Sequence, residues 1–446
     1  MIERFDSLYP DTARFPEIEK LLDFIKEGNS CQVVGVPGTG RSNILGLLTY
    51  NRNVRIKHLG DDQKNYHFVL LNFSEIRKRN LLDSLKFIFL GILDSLKERG
   101  MEKDYAVLNK VFKDSLKGQD ELVFFQGLKK TIDYLAIEKN LHLILLFDRF
   151  EEYIPVLTDE FFADLRVLRN RAKYRFSVVF SLSRPLEDLL EPLLFSDFYE
   201  FVAGRIVYLP LYDKTGVDFR ISYLEKITGK QITKQTLDKI FESTGGHGNL
   251  ARLCCEAILA NVKEIYQGNL EEFFLKQKFI RSALFGMWNS LTPSEQVFLN
   301  SNLNGILTRD IKEYPYLENI DLVKDDKIQI PLLTEYLKEK GIKPKENERI
   351  IYNESTNEIL KGDKTLSDNL TSSEFKLLSF FLANKDAILD REEIISAVWK
   401  ENKTTEGVTN QALDQLIFRL RKKIEEDPNN PIHLQTVKGR GFKFAT

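Results

Sequence analysis

The sequence predicts an α/β domain with a parallel sheet and helices on both faces, a helical lid, a winged-helix-like segment, and finally a separate α+β winged helix-turn-helix domain. Three observations predict it. Apolar runs alternate with amphipathic stretches over the first two hundred residues. A glycine-rich loop joins the first run to the helix after it. The last hundred residues read as two capped helices, a long amphipathic helix and a hairpin. Length agrees, since 446 residues allow about three domains.

The spacing predicts strands over Cys31–Val36, His67–Phe73, Leu141–Asp148 and Ser177–Leu182, with helices over Leu81–Leu96 and Asp159–Arg171 between them. Near-continuous apolar strands separated by helices belong to a parallel sheet covered on both sides. From about Leu211 to Lys278 the pattern is wholly helical. The segment after it is mixed, with Thr292 as an N-cap ahead of Pro293 at the first turn. The polar stretch 343–348 reads as a linker. The expected units are therefore residues 1–205, 206–280, 281–343 and 346–446.

A net charge of −2 and a pI near 6.3 argue against an extensively basic surface, so any nucleic-acid contact is a local patch. Cys31, Cys254 and Cys255 form neither a disulfide framework nor a metal-ligand spacing, which suits a reducing cytoplasm. The apolar run 141–147 falls far short of the roughly 20 residues of a membrane span, and the first residues carry no apolar signal region. No membrane partner is expected.

Gly35-Val36-Pro37-Gly38-Thr39-Gly40-Arg41-Ser42 has the spacing of a P-loop in its required strand–loop–helix context. Glycines let backbone N–H groups close around phosphates, and the helix N-terminus at Asn43 adds its positive end. Ser42 is placed to hold Mg²⁺. Arg41 stands where Lys is usual; it keeps the charge but not the compact ammonium, so nucleotide binding is expected more firmly than hydrolysis. Asp148 ends an apolar strand, where a carboxylate would hold Mg²⁺ through water, and Glu151 and Glu152 follow as candidates to polarise a water. Asp148 could equally be a helix N-cap. Arg184, just past the next strand, could reach a terminal phosphate or be a solvated turn residue.

With Thr244-Gly245-Gly246-His247-Gly248-Asn249-Leu250-Ala251-Arg252 opening a helix beyond that core, the chain from about Phe15 to Gly341 resembles the STAND and origin-recognition-like branch of AAA-type ATPases. The resemblance implies an ATP/ADP switch with Arg184 as phosphate sensor and His247 or Arg252 as lid sensor. Three departures stand out: Arg41 for Lys, Gly248 where Pro is frequent, and Arg149 rather than a second carboxylate after Asp148.

In the last unit Thr371 and Glu374 form a capping box ahead of Phe375, and Asp390 caps the next helix. The helix from Asn410 to Glu425 places Leu413, Leu416, Ile417, Leu420 and Ile424 on one face. Its other face carries Gln411, Gln415, Phe418 and Lys422, flanked by Arg419. Gln pairs with adenine and Arg with guanine in the major groove, so Gln411, Gln415 and Arg419 are the base-reading candidates. Arg421 and Lys422 would contact phosphate, and a hairpin tip with Lys438 and Arg440 would touch backbone or minor groove. These residues, with Arg-Leu-Arg-Lys-Lys at 419–423 and Thr-Val-Lys-Gly-Arg-Gly-Phe at 436–442, make the segment similar to the DNA-binding domain of OmpR/PhoB-type response regulators.

The expected function is an ATP-binding regulator of transcription whose nucleotide switch controls binding to double-stranded DNA. Two other readings stay open: a DNA-dependent ATPase that oligomerises on DNA, and a scaffold with an inactive P-loop.

Overall fold

A computed structural model of the chain describes residues 4–118, 120–260, 269–301, 303, 314–340, 350–353, 358–361, 364–385, 387–399, 410–425, 428, 431, 433–437 and 441–444. It divides into two compact units, Met1–Lys340 and Gly341–Thr446.

In the first unit β1 (Cys31–Val34), β2 (Tyr66–Asn72), β3 (His142–Asp148), β4 (Phe176–Leu182) and β5 (Ile206–Tyr208) form one parallel sheet in the order β2-β3-β4-β1-β5. All of β1 and β4 is buried, which is why their sequences show no polar alternation. Alternate side chains of β3 enter different layers. Ile144 and Leu146 pack with Ile18, Leu22, Ile44 and Leu48 from helices Phe15–Lys26 and Arg41–Tyr50. Phe147 meets Phe150, Phe161 and Phe180, from which ring contacts continue to Phe162 and Phe198 on helices Asp159–Ala172 and Pro192–Val202. Each fully buried ring contributes about 1.5–3 kcal/mol of transfer free energy. The buried amide of Gln32 is satisfied on both ends: it donates to Glu187 Oε2 at 3.0 Å and accepts from the Leu186 N–H at 2.7 Å.

The strand β5 lies past residue 205, where the α/β unit was expected to end. Its three residues, with only Val207 buried, are too few to show a period. Helices Lys214–Thr228, Lys234–Thr244, Gly248–Ala260 and Leu270–Lys276 follow. Then come helices Lys278–Asn289, Pro293–Ser301 and Tyr314–Asn319, the hairpin β6 (Val323–Lys324) and β7 (Lys327–Ile328), and helix Pro331–Lys340. Gly245 caps its helix in the left-handed region at φ +58°, and a Cβ there would lie 2.0 Å from the Gln329 carbonyl oxygen. A glycine therefore lets the hairpin segment sit directly on the lid.

The second unit opens with an antiparallel sheet of β8 (Ile350–Asn353), β9 (Glu358–Lys361) and β10 (Lys364–Thr365). Helices Ser372–Ala383 and Arg391–Val398 both start with complete capping boxes, at Thr371/Glu374 and Asp390/Glu393. Helix Asn410–Ile424 buries the five residues of its expected stripe. A second sheet, β11 (Ile388–Leu389) with β13 (Gly441–Phe444) and β12 (Leu434–Val437), completes a winged helix. The two-residue β11 has no signature of its own and exists by pairing with β13.

Candidate functional site

The loop from Gly35 leaves β1 beside the ends of β3 and β4. Gly38 at φ +96° and Gly40 at φ +100° adopt a backbone that side chains resist. Gly40 is the N-cap of helix Arg41–Tyr50, and no side chain caps that helix. Its first-turn amides are thus offered to a cleft of about 560 Å³ bounded by Pro37–Asn43, Tyr9, Arg14, Asp213, Arg220 and Asn249. Ser42 Oγ donates to Asp148 Oδ1 at 3.0 Å, and Ser181 Oγ donates to the same oxygen at 3.2 Å. An uncapped helix start beside a hydroxyl–carboxylate pair fits a phosphate chain with a hard cation. Among the described residues no group of three or more His, Cys, Asp or Glu forms a metal cage. Mg²⁺ suits such a place, because it keeps waters and phosphate oxygens as ligands.

The two arginines expected at the phosphates are held by carboxylates. Arg41 Nη1 lies 2.8 Å from Glu151 Oε1, so the residue expected to polarise water instead pairs with the loop cation. Arg184 is buried and forms a two-bond pair with Glu295, Nη1 to Oε2 at 3.0 Å and Nη2 to Oε1. Glu295 is at the same time the capping residue of its own helix, accepting from the Thr292 N–H at 2.9 Å. The Tyr316 ring covers the Arg184 guanidinium at 4.1 Å, and its hydroxyl donates to the Ser183 carbonyl at 2.7 Å. A solvated turn residue Arg184 is not; it fastens β4 to the segment after the lid. Glu152 pairs with Arg77, and with Arg149 at 3.6 Å.

His247 Nδ1 accepts the Leu250 N–H at 3.2 Å, which leaves the proton on Nε2 to be donated to the Pro37 carbonyl at 3.0 Å. The Asn249 N–H donates to the Gly38 carbonyl at 3.1 Å. Burial, reinforced by the charge of Arg14, pushes the His247 pKa down to about 4 against the pull of its Pro37 bond. The imidazole is a neutral bolt between lid and loop rather than a cationic phosphate ligand. Its ring fills the space a Gly38 side chain would need, at 2.6 Å. Arg252, the other lid candidate, is not brought to the cleft: its guanidinium pairs with Glu256 and donates to Asn249 Oδ1 at 2.9 Å. Asn43 borders the cleft, but its side-chain amide is engaged, donating to Asp6 Oδ1 at 3.1 Å. Thr39 Oγ1 donates to the Val36 carbonyl at 2.9 Å and so shapes the turn.

Sequence reasoning pointed to the segment Asp11–Lys20 as the adenine side by resemblance but named no residue of this opposite wall. Arg14, buried with φ +52°, donates to the carbonyls of Thr39 and, at 3.2 Å, Pro210, between Glu17 at 3.5 Å and Asp213 at 3.7 Å. It stitches the start of the first helix to the phosphate turn and to the chain entering the lid. Tyr9 accepts a hydrogen bond from Arg220, and its ring meets Phe219 of a lid helix at a tilt of 46° with centroids 4.4 Å apart. The available signal was local: Pro16 marks a helix start and thereby fixes where Arg14 stands.

On helix Asn410–Ile424, Asp414, Gln415, Phe418, Arg419 and Lys422 are exposed. The side chain of Gln411 and the hairpin tip with Lys438 and Arg440 lie outside the described residues. Arg421, expected at phosphate, is engaged within the domain. It donates to the Leu434 carbonyl and to Thr436 Oγ1, both at 2.8 Å, and so anchors β12. Lys423 likewise donates to buried Glu374 at 2.6 Å and the Asn369 carbonyl at 2.7 Å.

Residues 367–444 match the family described as "Transcriptional regulatory protein, C terminal". The sensory transduction protein RegX3 of Mycolicibacterium smegmatis is 43% identical over 75 residues, 17% of this chain and 32% of that protein. Protein PetR of Rhodobacter capsulatus is 34% identical over 96 residues, 21% of this chain and 40% of that protein. The chain thus spans about a third of the length of the curated relatives it matches. Among solved structures, the Klebsiella pneumoniae RstA DNA-binding domain in complex with its RstA box covers 22% of this chain and 90% of its own, at 22% identity and TM-score 0.19. The Walker-type ATPase PABY2304 of Pyrococcus abyssi covers 75% of this chain and 97% of its own, at 14% identity and TM-score 0.46. Among the described residues, no helix is long and apolar enough to cross a membrane.

Proposed function

We propose that the chain is a nucleotide-binding regulator of transcription, in which ATP or ADP at Gly35–Ser42 controls binding of double-stranded DNA by the winged helix of residues 346–446. The observation that supports this most directly is the pair of hydrogen bonds from the lid to the turn. The carbonyls of Pro37 and Gly38 shape the phosphate turn and also receive His247 and Asn249. A ligand that alters the turn alters lid docking, and lid residues 206–280 lead into the segment 281–343 that clasps Arg184.

Ser42 and Asp148 would hold Mg²⁺, whose charge offsets that of the phosphates. Arg41 and Arg184 supply positive charge now met by Glu151 and Glu295. Substitution of Lys by Arg at 41, and its pairing with the carboxylate placed to order a water, favour tight binding with slow turnover. On the DNA side Gln415 and Arg419 project from an exposed face and Lys422 accompanies them.

The test has two arms on the full chain. Saturating ATP or ADP with Mg²⁺ should raise the melting temperature, and Asp148→Asn should remove the Mg²⁺-dependent part. DNA sites selected from random sequence should then be titrated with and without nucleotide, at fixed salt. A nucleotide-independent DNA affinity defeats the switch but not the DNA binding. No thermal response to either nucleotide leaves a scaffold with an inactive loop.

A further inference from the structure

We propose that Phe418 selects a thymine in the DNA site by packing its ring on the 5-methyl group in the major groove. This deepens the DNA-reading role given above to helix Asn410–Ile424 and rests on it.

Among the described residues of the second unit, Ile388 and Phe418 are the large apolar side chains left exposed, Phe418 at 43%. The helix does not need that ring for its core. Leu413, Leu416, Ile417, Leu420 and Ile424 already close the other face at 2% exposure or less. Phe418 lies three residues after Gln415 and four before Lys422, so the three share the outward face at 3.6 residues per turn.

The neighbours suit an approach to DNA. The Lys422 ammonium stands 4.8 Å from the ring centroid, which holds the ring and leaves a cation beside it for a phosphate. The one acid on this face, Asp414, is met by Arg391 at 2.8 Å, so it does not oppose a polyanion bare. In the major groove thymine alone presents an apolar group; every other base edge offers donors or acceptors. A phenyl ring laid over those edges strips them of water without replacing the bonds, whereas over a methyl it buries apolar area. The discrimination thus has an attractive part for thymine and a repulsive part against the rest.

The test uses the full chain and a site selected from random DNA, with each thymine replaced in turn by deoxyuridine, which differs only by the methyl. At one position the wild type should lose about fourfold in affinity, the worth of one buried methyl group. Phe418→Ala should be indifferent to that replacement, and Phe418→Leu should keep part of it. Tolerance of deoxyuridine at every position by the wild type overturns the proposal while the DNA-reading role stands. So does an equal penalty in Phe418→Ala. A Phe418→Ala variant weakened alike on all sequences would make the ring a packing or phosphate-side contact and also overturn it. Absence of any sequence-selective binding defeats both.

Discussion

Acidification should release the lid, and His247 gives the size of the effect. The imidazole is buried and neutral, with Nδ1 accepting from Leu250 and Nε2 donating to Pro37. A second proton has no acceptor to meet, and burial holds the pKa at about 4 against an ordinary 6.5. The folded value lies below the unfolded one, so this stability is fully present above about pH 6.5 and drains away as pH falls toward 4. At about pH 5 an undocked His247 is mostly protonated and a docked one is not, a difference of about 2 kcal/mol against docking. His67, buried on β2 and pushed down to about 3, adds a similar slope, so the comparison must be with a variant. His247→Gln cannot titrate. Urea unfolding of both proteins from pH 8 to 5, with hydrogen exchange at Asn249 and Leu250, should show the wild type losing about 2 kcal/mol more than the variant. Parallel pH profiles would refute the reasoning, because they would mean His247 charges in place or is already charged.

Three further outcomes follow from contacts described above. Glu295→Ala leaves a buried guanidinium without its counter-charge and should cost about 3–5 kcal/mol in urea unfolding, most of it recovered in Arg184→Met/Glu295→Leu. Gly245→Ala places a methyl against the Gln329 carbonyl on left-handed backbone and should lower stability by about 1–3 kcal/mol, seen as a lower melting temperature. Arg419→Ala should leave thermal stability within about 0.5 kcal/mol of wild type and cost about 1–3 kcal/mol of binding at one base position, whereas Arg421→Ala should lower stability by loosening β12.

Much of this was legible because it is periodic or locally capped. Continuous apolar runs announced β1 to β4, and the two capping boxes of the second unit are present where Thr371 and Asp390 predict them. The strand β5 was not legible, since three residues carry no period and its identity comes from pairing with β1. In the site, spacing alone located Gly35–Ser42 and its neighbour Asp148. It could not say how long side chains would choose partners. Arg184 and Arg421 are each basic in a suggestive position, yet their partners, Glu295 and Leu434 with Thr436, are set by tertiary approach, while Arg252 pairs with Glu256 one turn along its own helix. Arg14 was hidden for the same reason: its acceptors at Thr39 and Pro210 lie far along the chain.

The Arg184–Glu295 pair also constrains how the chain can change over generations. A descendant that lost Glu295 first would bury a bare cation, and one that lost Arg184 first a bare carboxylate. Glu295 cannot be spared by its other duty either, since the same carboxylate caps the helix behind Thr292. Drift at either position is therefore blocked unless both move together. Residues 184 and 295, 111 apart in the chain, should be inherited as a single character.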